Sequence, residues 1–162
     1  MKIHGETLNR SNEEVVVLPR SGGNDIVFKL KSIQKLEEFD TQFPAPTPPS
    51  IMRKGQTVAT PDLEDKKYQK AVFEQGRLKS KWMLLKSLDA TEGIEWEKVK
   101  VSEPATWDLL EEELKDSGLN EVEIMRLYQA MMKVNSLDEE YLEEARERFF
   151  ASVQAQAVAE GK

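Results

Sequence analysis

A run of prolines constrains this chain more than any other feature. Four prolines fall within residues 44–49. Proline lacks a backbone N–H and fixes φ, so the run cannot form a helix interior or a central strand. It favours a stiff, extended connector. The organisation predicted from this break is a small β-rich part at residues 1–43, a proline-rich linker at residues 44–61, a helical domain at residues 62–153 and a flexible tail at residues 154–162.

Before the linker, the residue pattern predicts a β-hairpin. Residues 14–18 are rich in valine, and the apolar residues Ile26, Phe28 and Leu30 alternate with lysines. Such alternation is typical of a strand with one buried face, and the glycines between the two runs suit a turn. Residues 32–41 carry apolar side chains at a spacing of three, which predicts a short helix covering one face of the hairpin.

After the linker, the apolar spacing predicts about four helices. The first spans about residues 62–90, with Thr60 as its cap, and a second opens at Pro104. Gly118 closes the second helix, and two further helices follow. In the last helix, Ser136 and Glu139 resemble a capping box, and the predicted inner face is formed by Leu142, Ala145, Phe149 and Val153. The fold class is therefore α+β, predominantly α, with an N-terminal β-hairpin and short helix, a proline-rich linker and a C-terminal bundle of about four helices.

Composition excludes most kinds of catalytic centre. The chain of 162 residues has no cysteine, which removes disulfides, thiolate metal sites and cysteine nucleophiles. Its one histidine, His4, has no serine or aspartate at a motif spacing, so we expect a surface side chain. The glycine turn at residues 21–24 lacks the lysine and following helix of a phosphate loop. We therefore expect no enzyme activity, no cofactor and no metal.

The formal net charge of −7 argues against nucleic acid as a partner. No apolar run is long enough to span a membrane, and the N-terminal residues lack the apolar segment of a secretory signal. We therefore expect a protein of the cytoplasm, with no membrane partner. Oligomeric state is left open, because an acidic helical surface suits both a monomer and a ring.

The helical part holds more large apolar residues than its helix stripes require. The simplest interpretation places any one of them in the core. The alternative is an adaptable groove for an amphipathic helix, since methionine conforms to irregular apolar partners. Met83 and Met132 lie off the main stripes and are the leading candidates. The complete set of predicted partner-binding residues is Trp82, Met83, Leu84, Met125, Met131 and Met132.

The order of these features resembles the small tail assembly chaperones of long-tailed, siphovirus-like bacteriophages. The resemblance covers most of residues 14–150 and consists of spacing and residue character. The residues that carry it are Val17-Leu18-Pro19-Arg20, Ile26-Val27-Phe28, the proline-rich connector, Tyr68, Trp82, Leu85, Glu92-Gly93-Ile94-Glu95-Trp96, Pro104-Ala105-Thr106-Trp107, Ser117-Gly118-Leu119 and Glu143-Glu144-Ala145-Arg146.

The resemblance implies a protein that binds the long, apolar, helical tape-measure protein in the host cell cytoplasm. Such chaperones keep that protein soluble while tail tube subunits polymerise around it, and in several phages a frameshifted longer form recruits the tube protein. The family has no catalytic residues to carry over. Two alternatives stay open: a structural tail or connector component of the virion, and a bacterial adaptor or regulator that acts by protein binding.

Overall fold

The computed structural model of the protein describes residues 12–55 and 57–160, together with two short strands nearer the N-terminus. Side chains are described for residues 12–55 and 57–152, so His4 lies outside the described residues. The chain is 50% helical and 11% strand, with a two-stranded hairpin followed by helices. The predicted class, α+β and predominantly α, is confirmed.

Three antiparallel strand pairs occur in the part of the chain that the structure describes. The central one is the predicted hairpin, with Val16 opposite Phe28 and Leu18 opposite Ile26. Its turn contains two glycines of positive φ, and Asp25 closes it by accepting the N–H of Arg20 at 2.9 Å. The pairs are β1 (Lys2–Ile3) with β2 (Glu6–Thr7), β3 (Glu13–Leu18) with β4 (Ile26–Lys31), and β5 (Ser50–Ile51) with β6 (Thr60–Pro61).

Five α-helices are described, one before the proline-rich run and four after it, as the spacing predicted. A 3-10 helix leads directly into the third, and Gly118 ends that helix with φ of 90°. The bounds are α1 (Glu37–Gln42), α2 (Lys66–Leu88), the 3-10 helix (Pro104–Leu109), α3 (Leu110–Asp116), α4 (Glu121–Val134) and α5 (Glu139–Glu160).

Several helix ends differ from the prediction because other side chains supply the caps. The cap of α2 is Asp65, whose carboxylate accepts the N–H of Tyr68 at 2.8 Å, whereas Thr60 lies in β6. Asp138 caps α5 through the N–H of Tyr141 at 3.0 Å. Ser136, the predicted cap, has φ of 56° and ends α4 instead. An aspartate side chain that can accept the N–H three residues on competes well for this position.

The chain divides into two compact units that are interleaved along the sequence. The first comprises Met1–Ser32, Ser87–Glu92 and Val122–Lys162, and the second comprises Ile33–Lys86 and Gly93–Glu121. The predicted parts are consecutive along the chain, on either side of the linker, whereas each unit combines segments from before and after it. The helix α5 continues to Glu160, and the flexibility predicted for residues 154–162 stays a prediction.

In the first unit, α4 packs on the inward face of the β3–β4 hairpin. Arg20 pairs with Glu123, Lys133 reaches Glu14 at 3.0 Å, and Asn12 donates its amide to the carbonyl of Val134 at 3.1 Å. These polar contacts surround an apolar interior. Its buried side chains are Leu18, Phe28, Leu30, Leu88, Ile124, Leu127, Ala130, Met131 and Val134.

In the second unit, aromatic side chains tie the start of the proline-rich run to its neighbours. The ring of Phe43 lies 5.0 Å from Phe39 and 5.9 Å from Trp107, and Phe39 in turn lies 5.6 Å from Trp82. Gln75 of α2 donates its amide to the carbonyl of Phe43 at 2.7 Å. The segment predicted as a linker is therefore anchored where it begins. The stretch of residues 51–60 shows no clear period in sequence, and the structure pairs Ser50–Ile51 with Thr60–Pro61 as β5 and β6.

Candidate partner-binding surfaces

The six predicted binding residues do not form one groove. Trp82, Met83 and Leu84 are buried in the second unit, and Met131 is buried in the first. Met125 and Met132 are exposed on the outer face of α4, beside Val122. The position of Met83 off the main stripe predicts an exposed side chain, but α2 buries several of its faces, so that side chain is part of the core. A binding role for the six residues stays a prediction.

An exposed apolar feature of the first unit is the face of α5. None of the side chains described in this helix, residues 139–152, is buried. Phe149 and Phe150 are 61% and 59% exposed, and their rings meet edge to face at 5.5 Å. Large aromatic side chains of this exposure are energetically unfavourable in water unless a partner covers them.

A surface depression of about 510 Å³ lies along this helix. Leu142, Ala145, Phe149 and Phe150 provide its apolar floor, and charged side chains form its rim. Leu142, Ala145 and Phe149 belong to the predicted inner face, but the structure leaves this stripe open; the side chain of Val153 lies outside the described residues. We call it the α5 face. Its lining residues are Glu139, Leu142, Glu143, Ala145, Arg146, Phe149 and Phe150.

The first turns of α5 are held in place by Tyr141. Lys133 of α4 lies 5.0 Å from the centre of the Tyr141 ring, and Arg148 lies 5.9 Å from it. A cation over an aromatic face is attracted by the ring quadrupole. The hydrogen bond from Lys133 to Glu14 raises the pKa of that lysine above its ordinary value. The same lysine therefore links β3, α4 and α5.

Charged side chains along α5 stabilise the helix and make the surroundings of the α5 face negatively charged. Glu143 pairs with Arg146 at 3.1 Å, and Glu144 lies 3.7 Å from Arg148. Pairs at these spacings stabilise an exposed helix by a few tenths of a kcal/mol each. Residues 139–148 hold five glutamates and two arginines, so the surroundings of the α5 face are acidic.

Sequence reasoning missed Phe150 and assigned Phe149 to the interior. A usable signal was present. Neighbouring helix residues point about 100° apart, so two adjacent phenylalanines cannot both lie on a narrow inner stripe. Seven of the ten residues in 139–148 are charged, so few apolar side chains are left there to contact a core.

The second unit has a smaller cleft, of about 420 Å³, beside the start of the proline-rich run. Phe43, Pro44 and Pro46 form one side, and α2 forms the other with Gln75 and the paired side chains of Glu74 and Arg77. The polar side is already hydrogen-bonded within the protein, since Gln75 holds the Phe43 carbonyl and Arg77 holds Glu74. This cleft therefore offers a ligand fewer available polar groups than the α5 face does.

No cluster of three or more acidic or histidine side chains suited to hold a metal ion occurs among the described residues. In the same residues, no helix has the combined length and apolar character that crossing a bilayer requires. Comparisons with protein-family models, with curated proteins and with solved structures found no match for this chain.

Proposed function

We propose that this protein is a bacteriophage tail assembly chaperone. In this proposal it binds an apolar helical stretch of the tape-measure protein in the host cytoplasm and keeps that protein soluble until the tail tube surrounds it. The observation that carries the proposal is the α5 face, an apolar stripe on a helix whose described side chains are all at least partly exposed.

The chemistry of the α5 face suits a helical partner. An amphipathic helix presents apolar side chains at a spacing of three and four, and the stripe from Leu142 through Ala145 to Phe149 has the same spacing. The two phenylalanine rings provide large contact area with few rotatable bonds. The acidic surroundings favour a partner whose apolar stripe is flanked by lysine or arginine, because such pairs increase association rate and fix orientation.

The order of sequence features supports the choice of partner. The order of the hairpin, the proline-rich run and the following helices resembles that of tail assembly chaperones, and the chain carries a net negative charge of the kind that keeps a holding protein soluble. The resemblance is the reason for proposing the tape-measure protein as the partner. The α5 face is the reason for proposing that a helix of that partner is bound.

Co-expression with the tape-measure protein of the same phage tests the proposal. The measurement is the fraction of tape-measure protein that stays in the supernatant. We expect the wild-type chain to keep most of it soluble and the double variant Phe149→Gln/Phe150→Gln to lose most of that protection. The matched control is Phe73→Gln, since Phe73 is 68% exposed on α2 and outside the α5 face. Equal protection by the double variant and the control would refute the α5 face as the binding surface.

Purified virus particles separate a chaperone from a structural component. A chaperone leaves before the tail matures, so mass spectrometry of mature particles should find none of this protein. Presence at a fixed copy number per particle would favour the virion component instead.

A further inference from the structure

The two outer edges of the β3–β4 hairpin differ. On β4, the N–H of Lys29 donates to the hydroxyl of Thr91 at 2.7 Å, and that hydroxyl donates to the carbonyl of Lys29 at 2.8 Å. Both backbone groups of Lys29 therefore point away from β3. Thr91 closes the middle of this edge, because its hydroxyl replaces the neighbouring strand that both groups would otherwise need.

The opposite edge, on β3, is open in the part of the chain that the structure describes. Val15 lies directly opposite Lys29. In an antiparallel pair, two directly opposite residues either both point their backbone N–H and C=O toward each other or both point them away. The N–H and C=O of Val15 therefore point outward from β3, and so do those of Val17, two residues on. Within residues 12–55 and 57–160, no group hydrogen bonds to the backbone of either valine on this side.

The side chains at this edge are also uncovered. Val15, Val17 and Val27 share the outward face of the hairpin, and all three are exposed. A strand edge with free donors and acceptors, flanked by exposed β-branched residues, is a template for another strand.

We propose that β3 of a second copy of this chain pairs with this edge in antiparallel orientation, forming a two-fold symmetric dimer with a four-stranded sheet. The ladder is centred on Val15, which faces Val15 of the partner subunit, and Val17 faces Glu13 of the partner subunit. In this register the outward-pointing N–H and C=O groups of Glu13, Val15 and Val17 all pair with the partner strand. Shifting it toward the turn would place Glu13 opposite Pro19, which has no N–H to donate.

Charge selects the antiparallel arrangement. Glu13 and Glu14 lie together at one end of β3. A parallel partner would bring the same two glutamates alongside, and adjacent like charges are destabilising in a sheet. An antiparallel copy places the glutamate pairs at opposite ends of the new ladder, each across from valine.

The β3 edge presents an unbroken row of outward groups at Glu13, Val15 and Val17, whereas Thr91 interrupts the corresponding row on β4 at Lys29. A hairpin that can pair fully along both edges can extend into a fibre, whereas two copies that pair through β3 use up the one uninterrupted edge of each. The two-fold dimer is therefore the assembly that this edge favours. It brings the exposed valines of the two copies onto one sheet face. The proposal rests on the hairpin alone and holds whether or not the α5 face binds a tape-measure protein.

Two proline variants of the full-length chain test the edge by sedimentation equilibrium. Val15→Pro removes an N–H that points outward from β3, and Val27→Pro removes one that points outward from β4, so neither touches the ladder between the two strands. We expect the wild type and Val27→Pro to sediment at twice the 18.5 kDa chain mass and Val15→Pro at the chain mass. Thermal melts followed by circular dichroism confirm that both variants fold.

A wild-type chain that stays monomeric up to about 100 µM, a range that detects even weak dimers, would overturn the proposal. Dimerisation of Val15→Pro as strong as that of Val27→Pro would do the same. Should Val15→Pro fail to melt cooperatively, cysteine cross-linking decides, because the chain has no cysteine of its own. We expect a short bis-maleimide to link Val15→Cys chains into a covalent dimer and to leave Val27→Cys chains unlinked. Failure of Val15→Cys to link would refute the pairing.

Discussion

Arg20, in the turn of the β3–β4 hairpin, and Glu123, in α4, form a bidentate ion pair. The two terminal nitrogens of the guanidinium reach the two carboxylate oxygens, and the longer contact is 3.1 Å. Both side chains are mostly shielded from solvent. A bidentate pair in this setting is stronger than a surface ion pair and also fixes the geometry of the turn.

Replacing this arginine tests that geometry. Arg20→Lys keeps the charge, but a single ammonium cannot engage both oxygens, so we expect the free energy of unfolding to fall by about 1 kcal/mol. Arg20→Met removes the charge and should cost about 2 kcal/mol. Urea unfolding measures both. If Arg20→Met costs as much in a Glu123→Gln background, the ion pair is not the source of the effect.

Glu113 holds a turn of the second unit together. Its carboxylate accepts the backbone N–H groups of Glu97, Lys98 and Val99, the last at 2.9 Å and buried. We expect Glu113→Ala to lower the free energy of unfolding by about 2–4 kcal/mol, because it leaves these donors without an acceptor. The matched control is Glu112→Ala, which removes an exposed ion pair with Lys98 and should cost under about 1 kcal/mol. Similar losses for the two variants would contradict this role.

Asp108 gives the second unit a pH dependence in acid. Hydrogen bonds from Arg77 and Lys81 lower the pKa of its carboxyl from 3.8 to about 2. A pKa that is lower in the folded protein means that the carboxylate form is stabilised by folding. The contribution is therefore fully present above about pH 4 and is lost as the pH falls toward 2.

The stability difference between wild type and Asp108→Asn measures this contribution. Because Asp108 is about half exposed, we expect a difference of at most about 1 kcal/mol at pH 6. It should shrink steadily between pH 4 and pH 2. At about 1 M salt, where charges are screened beyond about 3 Å, the difference at pH 6 should shrink as well. A difference that is constant from pH 6 to pH 2 would argue against the ion pairs as its cause.

Charge substitution at two methionines separates core from surface. Met83 is 5% exposed and Met132 is 39% exposed. Met83→Glu buries a charge and removes packing, so we expect a loss of about 3–5 kcal/mol and a broadened or absent cooperative melt. Met132→Glu should melt within about 1 kcal/mol of the wild type. Thermal unfolding followed by circular dichroism distinguishes the two, and a cooperative melt for Met83→Glu would show that α2 can expose this side chain.

Much of the fold could be predicted from residue pattern. The hairpin followed from the alternation around Phe28, and four helices after the prolines followed from apolar spacing. Helix ends were less predictable, because more than one polar residue near the start of a helix can act as its cap. Asp65 and Asp138 displaced Thr60 and Ser136 for this reason, and the choice depends on how the preceding backbone is held.

The candidate site was harder to predict because periodicity gives the faces of a helix but not which faces are covered. Trp82, Met83 and Leu84 are consecutive, so they point in three directions, and α2 is packed on all of them. On α5 the opposite holds, since a regular stripe through Phe149 has no cover within the described chain. Distinguishing these two cases requires knowing which segments surround each helix, and the interleaved units are a property of the folded chain.

The described part of α5 contributes no buried side chain, and this affects how the protein can evolve. A residue of the core is constrained by its neighbours, so most changes there lower stability. Phe149, Phe150 and Leu142 are largely free of that constraint, so mutation can change the shape and charge of the α5 face at little cost to folding. On the proposed function, the binding preference of the α5 face can therefore follow a changing partner while the hairpin and α4 stay as they are.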